Sequence, residues 1–130
     1  MIGKNNPFNI RVSNSKWIGS NGSVRGFVSF DNRKFGIRAA CILIMRSYRK
    51  LGVLTIQEII NRFAPSIEND TNSYVKFVCN RLCCFPFDIP AKHEYPSLLS
   101  AMSVFEGNPV SSDEIINVIR EFKIVPYKKK

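Results

Sequence analysis

The longest helical pattern in this chain lies at residues 32–51, NRKFGIRAACILIMRSYRKL. Its apolar side chains recur at Phe35, Ala39, Ile42 and Met45, close to the 3.6-residue period of an amphipathic helix. An Asp-Asn pair stands at its start and a Gly follows its end, and these residue types commonly cap helices. The stretch therefore predicts a long helix with one face in the core.

Four further helices are predicted downstream. Thr55 and Glu58 have the spacing of a capping box, and so do Ser111 and Glu114. The four predicted helices run from Thr55 to the residue before Pro65, from Asn69 or Asp70 to about Cys83, from Tyr95 or Pro96 to Phe105, and from Ser111 to about Phe122.

The N-terminal part predicts a small hairpin instead. Trp17-Ile18 and Phe27–Phe30 alternate as strands do, and the Ser-Asn-Gly-Ser run at 20–23 supplies turn residues between them. A lone two-stranded hairpin is marginally stable, so it must pack on the helices. The expected fold class is α+β, mostly helical, with about five helices and one N-terminal hairpin.

Length and composition fit one domain. The chain has 130 residues, of which 45% are hydrophobic, and this is enough for a single core. We predict a domain at 1–124, with a loop and hairpin at 1–31 and a helical part at 32–124, followed by a basic tail at 125–130. No apolar run reaches the roughly 18 residues of a membrane helix, and the start lacks the apolar core of a secretory signal. No membrane partner is expected.

The net charge of +9 favours anionic partners such as nucleic acid or an anionic cell-wall polymer. The basic residues extend beyond the C-terminal lysines, because the first helix carries Arg33, Lys34, Arg38, Arg46, Arg49 and Lys50. A helix of this kind, with aromatic residues among the basic ones, can track a phosphate backbone. Equally, these residues can form an ordinary solvated face.

Cysteine and histidine positions indicate neither disulfides nor a metal site. The cysteines at 41, 79, 83 and 84 include adjacent residues, which suits reduced thiols, and Cys41 falls on the apolar face of the first helix. His93, the only histidine, completes a C-x3-C-C-x8-H spacing that matches no common zinc pattern. We expect no metal and no cofactor.

Five blocks in order carry a family resemblance: NNPFNIR at 5–11, WIG at 17–19, FVSF at 27–30, FGIRAA at 35–40 and RFAPSIENDT at 62–71. Together they resemble a family of small phage and prophage proteins described as virion structural or lysozyme-like. The resemblance implies a lysozyme-like fold, synthesis in the host cytoplasm, localisation in the virion, and virion subunits or peptidoglycan as partners. Phe63 stands where that family commonly has Trp, which removes a possible sugar-stacking surface.

A lysozyme-like reading directs attention to carboxylates, because glycosidic cleavage needs a proton donor on the leaving oxygen. Glu106 ends an apolar helix beside Phe105, where partial burial can raise the pKa of an acid catalyst. Glu68 lies at a loop–helix junction. Both are candidate catalytic residues of a glycoside hydrolase or lytic transglycosylase, and both also have ordinary readings, as a helix-terminal residue and as a helix cap.

Candidate sugar-binding residues are Asn6, Asn9, Arg11, Trp17 and Asn69. Amide and guanidinium groups can bind sugar hydroxyl, acetamido or carboxylate groups, and an indole ring can stack on a sugar face. These asparagines can equally serve turns, and Trp17 can anchor the hairpin. In several cell-wall glucosaminidases the catalytic Glu precedes a segment like Asn-Pro-Phe-x-Ile-Lys. Here the order is reversed, and a circular permutation would reconcile the two.

Three functions follow as hypotheses. The first is a phage-derived virion or lysis-associated protein that binds and cleaves the β-1,4 bond of peptidoglycan glycan. The second is a non-enzymatic virion structural subunit. The third is a nucleic-acid-binding virion protein, which would require the basic residues of the first helix to cluster on one exposed face.

Overall fold

The computed structural model describes residues 1–66 and 70–129. Its elements in chain order are β1 (Ser20–Val24), β2 (Phe27–Phe30), α1 (Arg33–Ile42), a π-helical segment (Leu43–Tyr48), α2 (Ile56–Phe63), α3 (Thr71–Leu82), a 3₁₀ turn (Lys92–Glu94), α4 (Tyr95–Phe105) and α5 (Ser112–Glu121). The predicted α+β class, with five helices and one N-terminal antiparallel hairpin, is confirmed within these residues.

The helix starts follow the capping residues of the sequence. Thr55 accepts a hydrogen bond from the Glu58 amide and the Glu58 side chain accepts one from the Thr55 amide, so this capping box is complete. Ser111 accepts from the Glu114 amide, but the Glu114 carboxylate turns away to an arginine. Asp70 caps α3 through the amide of residue 73.

The hairpin turn lies four residues later than expected. Residues 20–24 form β1 itself, and the turn falls at Arg25-Gly26, which both have positive φ angles of 51° and 84°. Two central residues with positive φ suit the tight turn that joins twisted antiparallel strands. The Asn-Gly pair at 21–22 sits instead at an irregularity of register between Ser20 and Gly22. The prediction of a turn at 20–23 was therefore wrong.

Helix α4 lies at the centre of the helical part. It contacts both α3 and α5, while α1 contacts α5 and β2. Leu98, Leu99 and Met102 of α4 are fully buried, and so is Cys41 of α1, as its position on the apolar face predicts. Because α4 is covered by its neighbours, its C-terminal end, where Glu106 lies, is held firmly against the rest of the molecule.

The N-terminal segment crosses α1 at Gly36. A Cβ atom on Gly36 would lie only 2.1 Å from the backbone oxygen of Asn5. The glycine in the FGIRAA block is therefore explained by close backbone approach. Similarly, Gly19 of the WIG block has a φ of +78° and lies against the Phe35 ring. Two of the sequence blocks thus fix where the N-terminal segment packs on α1.

Two basic residues of α1 bind α5. The Arg33 Nε atom lies 2.7 Å from Glu114 Oε2, and the Lys34 Nζ atom lies 2.9 Å from Glu121 Oε2. Half-exposed pairs of this kind contribute little stability, about 0–1 kcal/mol each. They do, however, pair these two cations with acidic residues of the same chain.

Two further arginines hold the C-terminal segment. Arg46 Nη1 donates to the Val125 carbonyl at 2.8 Å, and Arg49 donates to the Tyr127 carbonyl at 3.1 Å and to the Tyr95 hydroxyl at 2.9 Å. The Tyr127 amide also donates to the carbonyl of residue 45, in the π-helical segment, at 2.9 Å. Residues 125–127, which the sequence assigns to the basic tail, thus lie against the long helix.

Candidate functional site

A cleft of about 680 Å³ opens where the N-terminal segment, the hairpin, the π-helical segment and the ends of α2 and α4 meet. It is lined by Met1, Ile2, Asn9, Ile10, Arg11, Ser13, Ser15, Trp17, Phe27, Leu43, Tyr48, Arg62, Phe63, Ala64, Pro65, Glu106 and Asn108. Four of the predicted site residues are brought together in it, from positions almost a hundred residues apart: Asn9, Arg11, Trp17 and Glu106.

Asn9 and Glu106 are in direct contact. The Asn9 Nδ2 atom donates to Glu106 Oε1 at 2.9 Å. Asn9 has a φ of 53°, a left-handed conformation that Asn tolerates better than most residues, and its amide donates to the Asn6 carbonyl in a local turn. Nearby, Asn108 Nδ2 donates to the Pro7 carbonyl at 3.2 Å. The NNPFNIR block is thereby joined to the end of α4.

The Glu106 carboxyl lies in an environment that favours its neutral form. Burial raises the pKa of Glu106 above the ordinary glutamate value. The hydrogen bond from Asn9, the nearby Tyr74 hydroxyl and the positive charge of Arg11 lower it, but less than burial raises it. A carboxyl group tuned in this way can donate a proton or a hydrogen bond nearer to neutral pH than an exposed glutamate can.

Tyr74 of α3 does not line the cleft and is not among the predicted site residues, but it interacts with Glu106 from within the core. It is fully buried, its ring stacks on Phe105 with centroids 4.1 Å apart, and its hydroxyl donates to the Met102 carbonyl at 3.3 Å. Burial and the nearby Glu106 charge raise the pKa of Tyr74. The periodicity of α3 does not predict that Tyr74 lies beside Glu106, because this proximity depends on how α3 packs on α4.

Arg11 and Trp17 line the same cleft in different ways. The Arg11 guanidinium lies over the Phe27 ring, 4.6 Å from its centroid, and its charge reaches Glu106. Trp17 is half-buried and packs against the core, which is the anchoring role considered for it. The buried Trp17 Nε1 atom has no hydrogen-bond partner among the described residues, and neither has Asn9 Oδ1.

Asn6 has a different position from the other predicted binding residues. It is completely buried and does not line the cleft. Its Nδ2 atom donates to the carbonyls of Ile10 and Val28, and its Oδ1 atom accepts from the Ile10 amide, each at 2.9 Å. The structure therefore gives Asn6 the role of joining the N-terminal segment to β2.

Glu68 and Asn69, the remaining predicted site residues, lie outside the described residues. Among the described residues that line the cleft, Glu106 is the only carboxylate. No group of three or more histidine, cysteine, aspartate or glutamate side chains that could hold a metal ion occurs within 1–66 and 70–129. In that part of the chain, no helix has the length and apolar character needed to cross a bilayer.

Comparison with known proteins gives one clear relationship. The chain is 36% identical over 124 residues to protein P5 of Pseudoalteromonas phage PM2. The matched region covers 85% of this chain and 74% of the phage protein. No family model matches the chain.

Proposed function

This chain belongs to the family of protein P5 of Pseudoalteromonas phage PM2, and from this premise we propose that it is a non-enzymatic structural subunit of a phage virion. The observation that carries the proposal is the extent of the match, which covers most of both chains. A match of that extent relates most of the chain to a phage protein. It supports localisation in the virion and other virion subunits as partners.

Several polar groups of the cleft are used within the fold of this chain. Asn9 binds Glu106, and Asn108 binds the Pro7 carbonyl, so polar groups of the site link distant parts of the chain to each other. Both groups of a hydrolytic carboxylate pair would have to face the same bond, and the described lining offers Glu106 alone.

The experiment is to purify particles of the phage that encodes this chain and to quantify the chain by mass spectrometry across a density gradient. The proposal expects a constant ratio of this chain to the major particle proteins through the particle peak, resistant to a high-salt wash. If the chain is made in the infected cell but is absent from washed particles, the structural role is refuted.

A glycan-binding or glycan-cleaving protein is the second candidate, and a specific observation favours it. The predicted acid and three predicted sugar-binding residues share one cleft, and the pKa of that acid is raised. Within this candidate the fold would be lysozyme-like. A single acid can act when atoms of the substrate assist the reaction.

Turnover of dye-labelled peptidoglycan separates this candidate from a purely structural subunit. A hydrolase should release soluble dye, and Glu106→Gln, with an unchanged circular dichroism spectrum, should lose about 100-fold or more of the rate. A glycan-binding protein should pellet with the walls without turnover, and Trp17→Ala should weaken this pelleting. Absence of both activities across pH and salt would refute the second candidate.

The nucleic-acid alternative has less support from the geometry. It requires the cations of the long helix to face solvent together, yet Arg33 and Lys34 pair with acids of α5, and Arg46 and Arg49 bind the C-terminal segment. We therefore expect DNA binding to be weak, with a salt dependence that corresponds to few phosphate contacts.

A further inference from the structure

A short segment after α3 exposes an unusual amount of apolar surface. Phe85, Phe87 and Ile89 are 62%, 71% and 54% exposed. The two phenylalanine rings stack on each other in solvent, with centroids 5.4 Å apart and planes within 4° of parallel. We call residues 85–89 the aromatic loop.

The aromatic loop has the reverse of the usual alternation. Its large apolar side chains are exposed, whereas Pro86 and Asp88 between them are half-buried. In a loop shaped only by folding, the apolar side chains of an alternating segment would face the core. This orientation leaves the most apolar face of the segment available to a partner.

Backbone hydrogen bonds fix that orientation. Asp88 Oδ2 accepts from the Phe85 amide at 2.9 Å, and the Asp88 amide donates to the Phe85 carbonyl at 3.0 Å. The carbonyls of Pro86 and Asp88 accept from the amides of Gln57 and Ile56, at 2.9 and 3.0 Å. These amides belong to the first turn of α2, whose N–H groups have no partner within the helix. The loop is therefore rigid before it binds, which lowers the entropic cost of binding.

We propose that the aromatic loop inserts into an apolar pocket on a different virion subunit of net negative charge. This inference rests on the proposed structural function. Buried aromatic residues on rigid supports are the residue type that dominates protein–protein binding energy. Two phenylalanines and an isoleucine offer roughly 300 Å² of apolar surface, below the ~800 Å² per partner of a standard interface. The loop is thus the anchor of a larger contact.

Charge selects the kind of partner. The chain carries +9, and Arg81 and Lys92 near the two ends of the loop are exposed. The carboxylates of Asp88 and Glu94 also lie nearby and keep their negative charge while they accept from the amides of Phe85 and Ala91. The preference for an acidic partner therefore comes from the net charge of the whole chain. A second copy would bring a second charge of +9 to the interface, whereas an acidic subunit would be attracted.

The test is photo-crosslinking in assembled particles. The photoreactive amino acid p-benzoyl-phenylalanine replaces Phe87, and in a matched control it replaces Ile18, which is 54% exposed on the hairpin side. After irradiation of purified particles, the proposal expects position 87, but not position 18, to join one other virion protein, of net negative charge, at an apolar site. Phe87→Ser should keep the Tm of the wild type and reduce incorporation into particles about 30-fold or more.

The possible outcomes distinguish a failure of the docking proposal from a failure of the proposed structural function. If both labelled chains are absent from particles although the unlabelled chain is present, a Phe87→Ser chain that is incorporated normally would overturn the docking role. A crosslink from position 87 to a second copy, to lipid, or to nothing beyond the control would also overturn it, while leaving the structural function intact. If even the wild-type chain is absent from particles, the proposed function fails, and the inference fails with it.

Discussion

Replacement of Asn6 by alanine tests whether this residue belongs to the fold or to a binding surface. Asn6 is completely buried and makes three hydrogen bonds of 2.9 Å with Ile10 and Val28. The Ile10 carbonyl keeps a second donor, the Val28 amide at 3.0 Å. The Ile10 amide and the Val28 carbonyl are therefore the groups that Asn6→Ala would leave without this partner.

The magnitude follows from those two groups. A buried polar group left unsatisfied costs about 1–3 kcal/mol. Together with the small cavity left by the side chain, the expected loss is about 3–5 kcal/mol of the free energy of unfolding. For a domain of this size, such a loss lowers the Tm by roughly 10–20 °C. It is a large fraction of the roughly 5–15 kcal/mol that stabilises a typical domain.

The assay is urea or thermal unfolding followed by circular dichroism, with Trp17 fluorescence as a second probe. Asn14→Ala is the matched control, because Asn14 is exposed and its replacement should change stability by no more than about 0.5 kcal/mol. If Asn6→Ala unfolds at the same midpoint as Asn14→Ala, the structural reading of Asn6 is refuted and a ligand-binding role becomes the better account.

Three further predictions concern the packing, the acid and the C-terminal segment. Gly36→Ala should destabilise by about 1–3 kcal/mol despite the better helix propensity of alanine, because its Cβ would meet the Asn5 carbonyl; equal or higher stability in urea unfolding would contradict the close approach. Burial raises the pKa of Glu106 in the folded protein above the ordinary glutamate value. The wild-type protein therefore keeps its full stability below the ordinary glutamate pKa, and it loses stability as the pH rises through the pKa of Glu106 in the folded state. Glu106→Gln should therefore match the wild-type Tm in acid and exceed it at neutral pH, and a greater advantage in acid would reverse the argument. Arg49→Ala should cost about 1–2 kcal/mol through its two tyrosine partners, measured by denaturant unfolding, whereas replacement of its exposed neighbour Lys50 should have no measurable effect.

Local signals were sufficient for the helices. The capping residues Thr55 and Ser111 and the period of apolar side chains in 32–51 predict where helices begin and which face is buried, because caps and amphipathic spacing act within a few residues. The hairpin turn was misplaced because two turn-forming pairs compete within six residues. Register with β2 selects Arg25-Gly26, and register is a property of both strands together.

The candidate site shows the same division between sequence and structure. The sequence predicts four of the cleft residues as site candidates from their residue types and from a family resemblance: Asn9, Arg11, Trp17 and Glu106. Their meeting in one cleft depends on how α4 packs and on the path of the N-terminal segment across α1. The buried Tyr74 reaches Glu106 only because α3 lies beside α4.

By itself, the sequence determined the fold class, the helix starts, the basic charge and the relationship to phage proteins, since these depend on residue identity and short spacings. Only the tertiary structure decided which polar residues are occupied within the molecule and which remain available. Asn6 and four cations of the long helix, at 33, 34, 46 and 49, bind distant backbone groups and acids, whereas the phenylalanines at 85 and 87 are held out of the core. Burial and pairing are properties of the packed chain, because they depend on contacts between residues far apart in sequence.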